Sequence, residues 1–190
     1  MTARITHGDW HGRHGRLRVT WQRSHYEDIN WVPLPPLTDQ HSNTGFRTQP
    51  GAYALYGDLI SGWTPDFQSA GVGTHMPTHL ARVFDPVVRS FDLRKAIYTF
   101  GRYTPGQMLP WHTDLYPTYM RRNQVDDVSR VVRVIVFLAD SEPGQQLWIE
   151  DRMCYGPAGS WFSWQGSTKH MAANLSESDR YMMQITGVVA

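Results

Sequence analysis

Cysteine is almost absent from this chain. The single Cys154 has no partner for an internal disulfide, and without a CxxC pair or a Cys/His cluster there is no frame for structural zinc. An excess of charge of one sign is missing too. A formal net charge of +1 gives no electrostatic footprint for nucleic acid, and no dense Lys/Arg block marks a membrane-binding patch. No apolar run approaches a membrane span, and the opening MTARITHGDWHGRHGR holds no apolar stretch of signal-peptide length. Internal repeats and low-complexity segments are lacking as well. These absences lead to the expectation of a cytoplasmic protein, monomer or homodimer, with no nucleic-acid or membrane partner.

What is present is enough for a sizeable core: 190 residues, 41% of them hydrophobic, with eight Trp. The expected organisation is one domain over 1–190, with residues 1–95 as an N-terminal decoration of one or two helices. Within that decoration Leu17 to Gln22 and Gly51 to Tyr56 read as strands. His79 to Asp92 carries Leu80, Val83, Phe84, Val87, Val88 and Phe91 at near-helical spacing. Pro86 inside that stretch predicts a kink or two short helices. From Ala96 the pattern changes to short strands separated by Gly, Pro, Ser and Asp: Ala96 to Tyr103, Val131 to Ala139, Gln145 to Asp151, Gly159 to Trp164 and Arg180 to Val189. That spacing predicts a sandwich or barrel over 96–190, a double-stranded β-helix (jelly roll, cupin-like) with flanking helices.

The chemistry concentrates in RYTPGQMLPWHTD, residues 102–114. A strand, a Thr104-Pro105-Gly106-Gln107 turn and a second strand deliver His112 and Asp114 two residues apart. On a strand that spacing means one face. An imidazole and a carboxylate side by side are two-thirds of a non-haem iron site, which a second histidine completes. The HxD string alone decides little, since chance supplies roughly 0.6 copies in a chain of this composition. His7-Gly8-Asp9 is such a copy, and His7, His11 and His14 read as a solvated tail. His112 and Asp114 differ from it in having a strand to aim them. His170, after GSWFSWQGSTK, can return to them from a neighbouring strand, or else be a hydrogen-bonded core residue. Arg180 opens an apolar strand, where a buried guanidinium needs an anion. The alternative for it is a surface pair with Asp179 or Glu177.

Taken together, RYTPGQMLPWHTD, RVVRVIVFLADSEPG, GSWFSWQGSTKH and the step of ten residues from His170 to Arg180 resemble iron(II)/2-oxoglutarate-dependent dioxygenases. Within that superfamily the pattern is most similar to prolyl hydroxylases and aspartyl/asparaginyl β-hydroxylase-like enzymes. The resemblance covers about residues 96–188. It implies that His112, Asp114 and His170 bind Fe(II) and that Arg180 grips the distal carboxylate of 2-oxoglutarate. It also implies a second cosubstrate-binding arginine at Arg133, with Tyr98 or Tyr103 adding a phenol hydrogen bond. The implied reaction couples decarboxylation of 2-oxoglutarate to succinate with O2-dependent hydroxylation of an aliphatic C–H. Two features depart from the pattern: Gly144-Gln145-Gln146 replaces the paired glycines usual after the central strand, and no Arg-x-Ser pair follows His170. Thr186, six past Arg180, stands where nucleic-acid demethylases carry a second arginine.

Leu115 to Ser129 reads as a loop over the active site. On it, Arg121 and Arg122 are candidates to read a substrate carboxylate or phosphate, with a solvated face as the alternative. Trp164 is a candidate lining residue. A modest pocket favours a free amino acid, a small metabolite or a short peptide. Two other classes compete: a cupin-type metal-binding protein acting as an isomerase or sensor, and an interaction module with a degenerate site.

Overall fold

The computed structural model describes residues 13–17, 66–68 and 78–189, with the backbone alone for 66–68, 78–82 and Pro110. The expected strand at Gly51 to Tyr56, most of that at Leu17 to Gln22, and His7 and His11 lie outside the described residues. Two antiparallel sheets face one another. The larger has the order β1-β8-β5-β10-β3-β2 and the smaller β4-β9-β6-β7. The strands are β1 (His14–Arg16), β2 (Asp66–Gln68), β3 (Arg94–Tyr103), β4 (Met108–His112), β5 (Val131–Phe137), β6 (Gln145–Ile149), β7 (Arg152–Met153), β8 (Ser160–Gln165), β9 (His170–Asn174) and β10 (Arg180–Val188). This is the expected double-stranded β-helix, mostly β with few helices. Among the described residues no helix is long and apolar enough to cross a membrane.

Period two sorts the large sheet into two unlike faces. Outward go Val132, Val134 and Val136 of β5, Met183 and Ile185 of β10, Phe100 of β3 and Trp161 of β8, a continuous apolar cluster. Inward go Ile135, Phe137, Met182, Tyr103, Phe162 and Trp164, which meet Leu147, Ile149 and Ala172 of the small sheet. Helix α1 (Thr78–Ser90) closes the outer face with Phe84, Val87 and Phe91, all but fully buried. Each such side chain contributes roughly 1.5–3 kcal/mol of burial. Together they outweigh the ~3 kcal/mol that an interior proline costs, and the helix runs through Pro86 instead of splitting there. It stops at Asp92, whose left-handed φ of 49° turns the chain into β3.

Two strands from the first 95 residues enlarge the sheet: β1 pairs with β8 and β2 with β3. His14, expected in a solvated tail, lies on β1, exposed and stacked on Phe162 with ring centroids 6.3 Å apart. The Thr104–Gln107 turn carries β3 of the large sheet into β4 of the small one. Gly106, at φ 85°, supplies the positive φ that a type II turn requires after its proline, and Gln107 N–H donates to the Thr104 carbonyl (3.1 Å).

Leu115 to Ser129 departs from expectation. It is not an open loop: it contains helix α2 (Pro117–Asn123) and a 3-10 turn at Val128–Arg130. Tyr116 and Tyr119 bury against Val131 and Val188, and the Tyr119 hydroxyl donates to the Lys95 carbonyl (3.0 Å). These anchors make it a docked element.

Candidate metal centre

Strands β4 and β9 run antiparallel with His112 directly opposite His170. A regular ladder does not give that pairing. Met108 faces Ala173 and Leu109 faces Ala172, which in register would set Trp111 against His170. Instead the register shifts between Leu109 and His112, one extra residue on β4, with Pro110 inside the bulge. Proline is at home there because a bulge leaves a ladder donor unused. The shift keeps Leu109 packed on the interior cluster and turns His112, three residues on, inward as well.

Asp114 lies past the end of β4 in an isolated bridge. Its Oδ1 is 3.6 Å from His112 Nε2 and its Oδ2 is 3.7 Å from His170 Nε2. The two imidazole centroids are 4.2 Å apart. All three side chains are buried, and one ligand atom from each falls within 4.8 Å of the others. A divalent ion about 2.0–2.2 Å from each donor fits between atoms so spaced. Two imidazoles and a carboxylate on one side suit non-haem Fe(II).

The surroundings prepare these donors. His170 Nδ1 lies 2.9 Å from the Thr168 carbonyl, an acceptor only, so Nδ1 carries the proton and Nε2 keeps its lone pair for an ion. Burial first, then the neighbouring His112, lowers the His170 pKa to about 3, which leaves the ring neutral at pH 7. Burial alone would raise the Asp114 carboxyl. The Arg133 guanidinium and the two imidazoles outweigh it and hold the group well below the ordinary carboxylate range.

The expected residues divide clearly. Arg133, in register with Trp164 on β8, points inward and donates from Nη2 to Asp114 Oδ2 at 3.0 Å. It also engages the Tyr116 hydroxyl at 3.4 Å and Gln184 Oε1. Trp164 is 2% exposed, its ring 4.6 Å from that of His170, and its indole N–H has no hydrogen-bond partner among the described residues. Arg180 is 4% exposed. Its guanidinium donates to the Gln146 carbonyl at 2.6 Å and lies over the Phe137 and Tyr103 rings at 5.3 and 6.0 Å. The surface pair weighed for it does not form, since Asp179 faces Arg102 at 3.9 Å instead. Among the described residues no carboxylate pairs with Arg180, and burial lowers its pKa to about 10. Burial raises the Tyr103 pKa to about 12, with Arg180 lowering it and Asp114 raising it in smaller measure.

Tyr98 is not brought there. It falls on the outward phase of β3, 6.5 Å from Phe84, five residues and therefore one face away from Tyr103. Arg121 and Arg122 are exposed on α2, because the docked helix buries Tyr119 and turns its basic end to solvent. Two contributors went unforeseen, Tyr116 and Gln184. Gln184 did leave a signal, as a polar residue on the inward phase of an apolar strand. Tyr116 left none, since its contact depends on a left-handed backbone (φ 51°) at the start of α2.

No protein-family model matches the sequence, and no curated protein matches it. Solved structures do. A prolyl 4-hydroxylase from Pseudomonas putida is 17% identical, with TM-score 0.45, over 67% of this chain and 71% of that one. A cupin domain from Bordetella pertussis Tohama I is 16% identical, with TM-score 0.34, over 50% of this chain and 82% of that one. A double-stranded β-helix protein from Klebsiella pneumoniae is 9% identical, with TM-score 0.36, over 50% and 68%.

Proposed function

We propose that this chain is a non-haem Fe(II)- and 2-oxoglutarate-dependent oxygenase that hydroxylates an aliphatic C–H of a free amino acid, small metabolite or short peptide. One observation carries the reading: the interior that holds His112, Asp114 and His170 also buries a guanidinium, Arg180, to which no described carboxylate is paired. A buried unpaired cation costs several kcal/mol, and a dicarboxylic cosubstrate removes that cost. A metal-binding jelly roll without such a cosubstrate leaves Arg180 with no anion among the described residues, which is why the isomerase or sensor reading is the weaker one.

In this reading His112, Asp114 and His170 would hold the ion. Bound Fe(II) supplies the chemistry of dioxygen activation, with 2-oxoglutarate as the reductant that becomes succinate and carbon dioxide. The chain's own work is positioning. Thr168 fixes the His170 tautomer, Arg180 offers a planar fork to the far carboxylate, and Phe137, Phe162, Trp164 and Tyr103 exclude water.

Adding Fe(II) and 2-oxoglutarate without oxygen tests this directly. The expected result is a weak visible metal-to-ligand charge-transfer band, lost in His112→Ala and weakened in Arg180→Ala. Mass spectrometry of candidate substrates then looks for the gain of one oxygen alongside substrate-stimulated succinate. A wild-type protein that binds Fe(II) but shows no band with 2-oxoglutarate would overturn the reading.

A further inference from the structure

Among the described residues two arginines, Arg133 and Arg180, face the interior, and their surroundings are opposite. Arg180 meets aromatic rings and a carbonyl. Arg133 has each of its nitrogens engaged: Nη2 on Asp114 Oδ2 at 3.0 Å, Nε on the Tyr116 hydroxyl at 3.4 Å and Nη1 on Gln184 Oε1. Its guanidinium carbon also sits 5.1 Å over the Tyr116 ring. These anchors come from separate parts of the fold, α2's entry and β10, so the guanidinium is gripped before any ligand arrives. We infer that Arg133 is a positioning residue for the metal carboxylate and its resident counter-ion when the ion is absent, not a clamp on the cosubstrate. The inference rests on the metal reading above and reassigns a residue that the resemblance gave to 2-oxoglutarate.

The chemistry follows from which oxygen is taken. Arg133 donates to Oδ2, the oxygen that also lies 3.7 Å from His170 Nε2, and Oδ1 is 3.6 Å from His112 Nε2. A carboxylate held at one oxygen would offer the other to a bound ion. Without Arg133 the same carboxylate is free to swing and chelate through both oxygens. A buried carboxylate also needs a cation at all times. Metal supplies one when bound; Arg133 supplies it otherwise, so the pocket forms in the apo protein without collapsing.

Arg133→Gln tests this on the full chain with Co(II) as the probe. Removing the counter-ion is expected to lower the melting temperature of the apo protein more than that of the Co(II)-loaded protein. The stabilisation conferred by Co(II) then grows at least twofold. The Co(II) visible bands shift as the second carboxylate oxygen joins, while the Kd of 2-oxoglutarate on Co(II)-saturated protein changes less than threefold. Arg133→Lys is expected to recover part of the apo melting temperature but not the spectrum, because an ammonium is a point charge without the fork. Should Arg133→Gln not fold, Gln184→Leu loosens the same grip and is expected to move the Co(II) bands in the same direction. A tenfold rise in the 2-oxoglutarate Kd with an unmoved spectrum would return Arg133 to the cosubstrate. Equal melting losses with and without Co(II), and an unmoved spectrum, would leave it a packing residue only. A wild type that takes up Co(II) but not 2-oxoglutarate sinks the oxygenase reading and leaves this inference standing, whereas one that takes up no Co(II) sinks both.

Discussion

The two faces of the large sheet are built from the same strands and do opposite things. Outward, Val132, Val134, Val136, Met183 and Ile185 meet Phe84 and Val87 of the helix and Phe91 just past its end. Inward stand Arg133 against Asp114, Gln184 against Arg133, Trp164 beside His170, and Arg180 among aromatic rings. The outer face stabilises. The inner face carries desolvated charge and an unpaired indole N–H, each of which opposes stability unless a ligand comes. Alternation with period two lets one strand serve both without compromise.

Substitutions can break that division of labour. The largest expected effect is on the inner face: His112→Ala should lower metal affinity more than ~100-fold while leaving the apo fold intact by circular dichroism. On the outer face Phe84→Ala should cost about 4 kcal/mol in chemical denaturation, with the affinity for Co(II) unchanged. A parallel loss of metal binding there would mean that the faces are coupled.

The pH response sharpens the contrast. His170 titrates at about 3 in the folded protein and near 6.5 in the unfolded chain. Between those values the unfolded chain binds more protons, so stability falls as pH drops and is flat above about 7. Apo protein should therefore lose roughly 2 kcal/mol between pH 7 and pH 5. Asp114, also depressed, adds a loss only at lower pH. His170→Gln should abolish the slope between pH 7 and pH 5, whereas Phe84→Leu should lower the whole curve and keep it.

The smallest effect separates folding from binding most cleanly. Arg180→Met removes a buried cation for an apolar chain of similar length. It should leave apo stability equal or better by about 1 kcal/mol while weakening 2-oxoglutarate at least tenfold, read by calorimetry on Co(II)-loaded protein.

Much of this was legible before any coordinates. The strands themselves were legible as short apolar runs at Val131–Phe137 and Arg180–Val188, though runs apolar on both faces leave the phase open, and the Pro-Gly pair marked the turn that crosses between sheets. Of the two outcomes Pro86 suggested, the split into two helices did not occur, because helix propensity is local while the burial of Phe84, Val87 and Phe91 on the sheet is not. Tyr98 misled because two tyrosines five apart on one strand look alike until the phase of the core is known. Leu115 to Ser129 looked loose because its anchors, Lys95, Val131 and Val188, lie far along the chain.

By itself the sequence determined which stretches are strands and where the chain turns, and it singled out His112, Asp114 and His170, which the fold brings together as a candidate metal site, and Arg180, which it buries. Only the tertiary structure decided that a bulge at Leu109–His112 sets one histidine opposite the other, and that Arg133 spends its charge on Asp114. Both outcomes depend on register between strands distant in sequence. Register is chosen by the packing of whole faces, and no short stretch of residues encodes it.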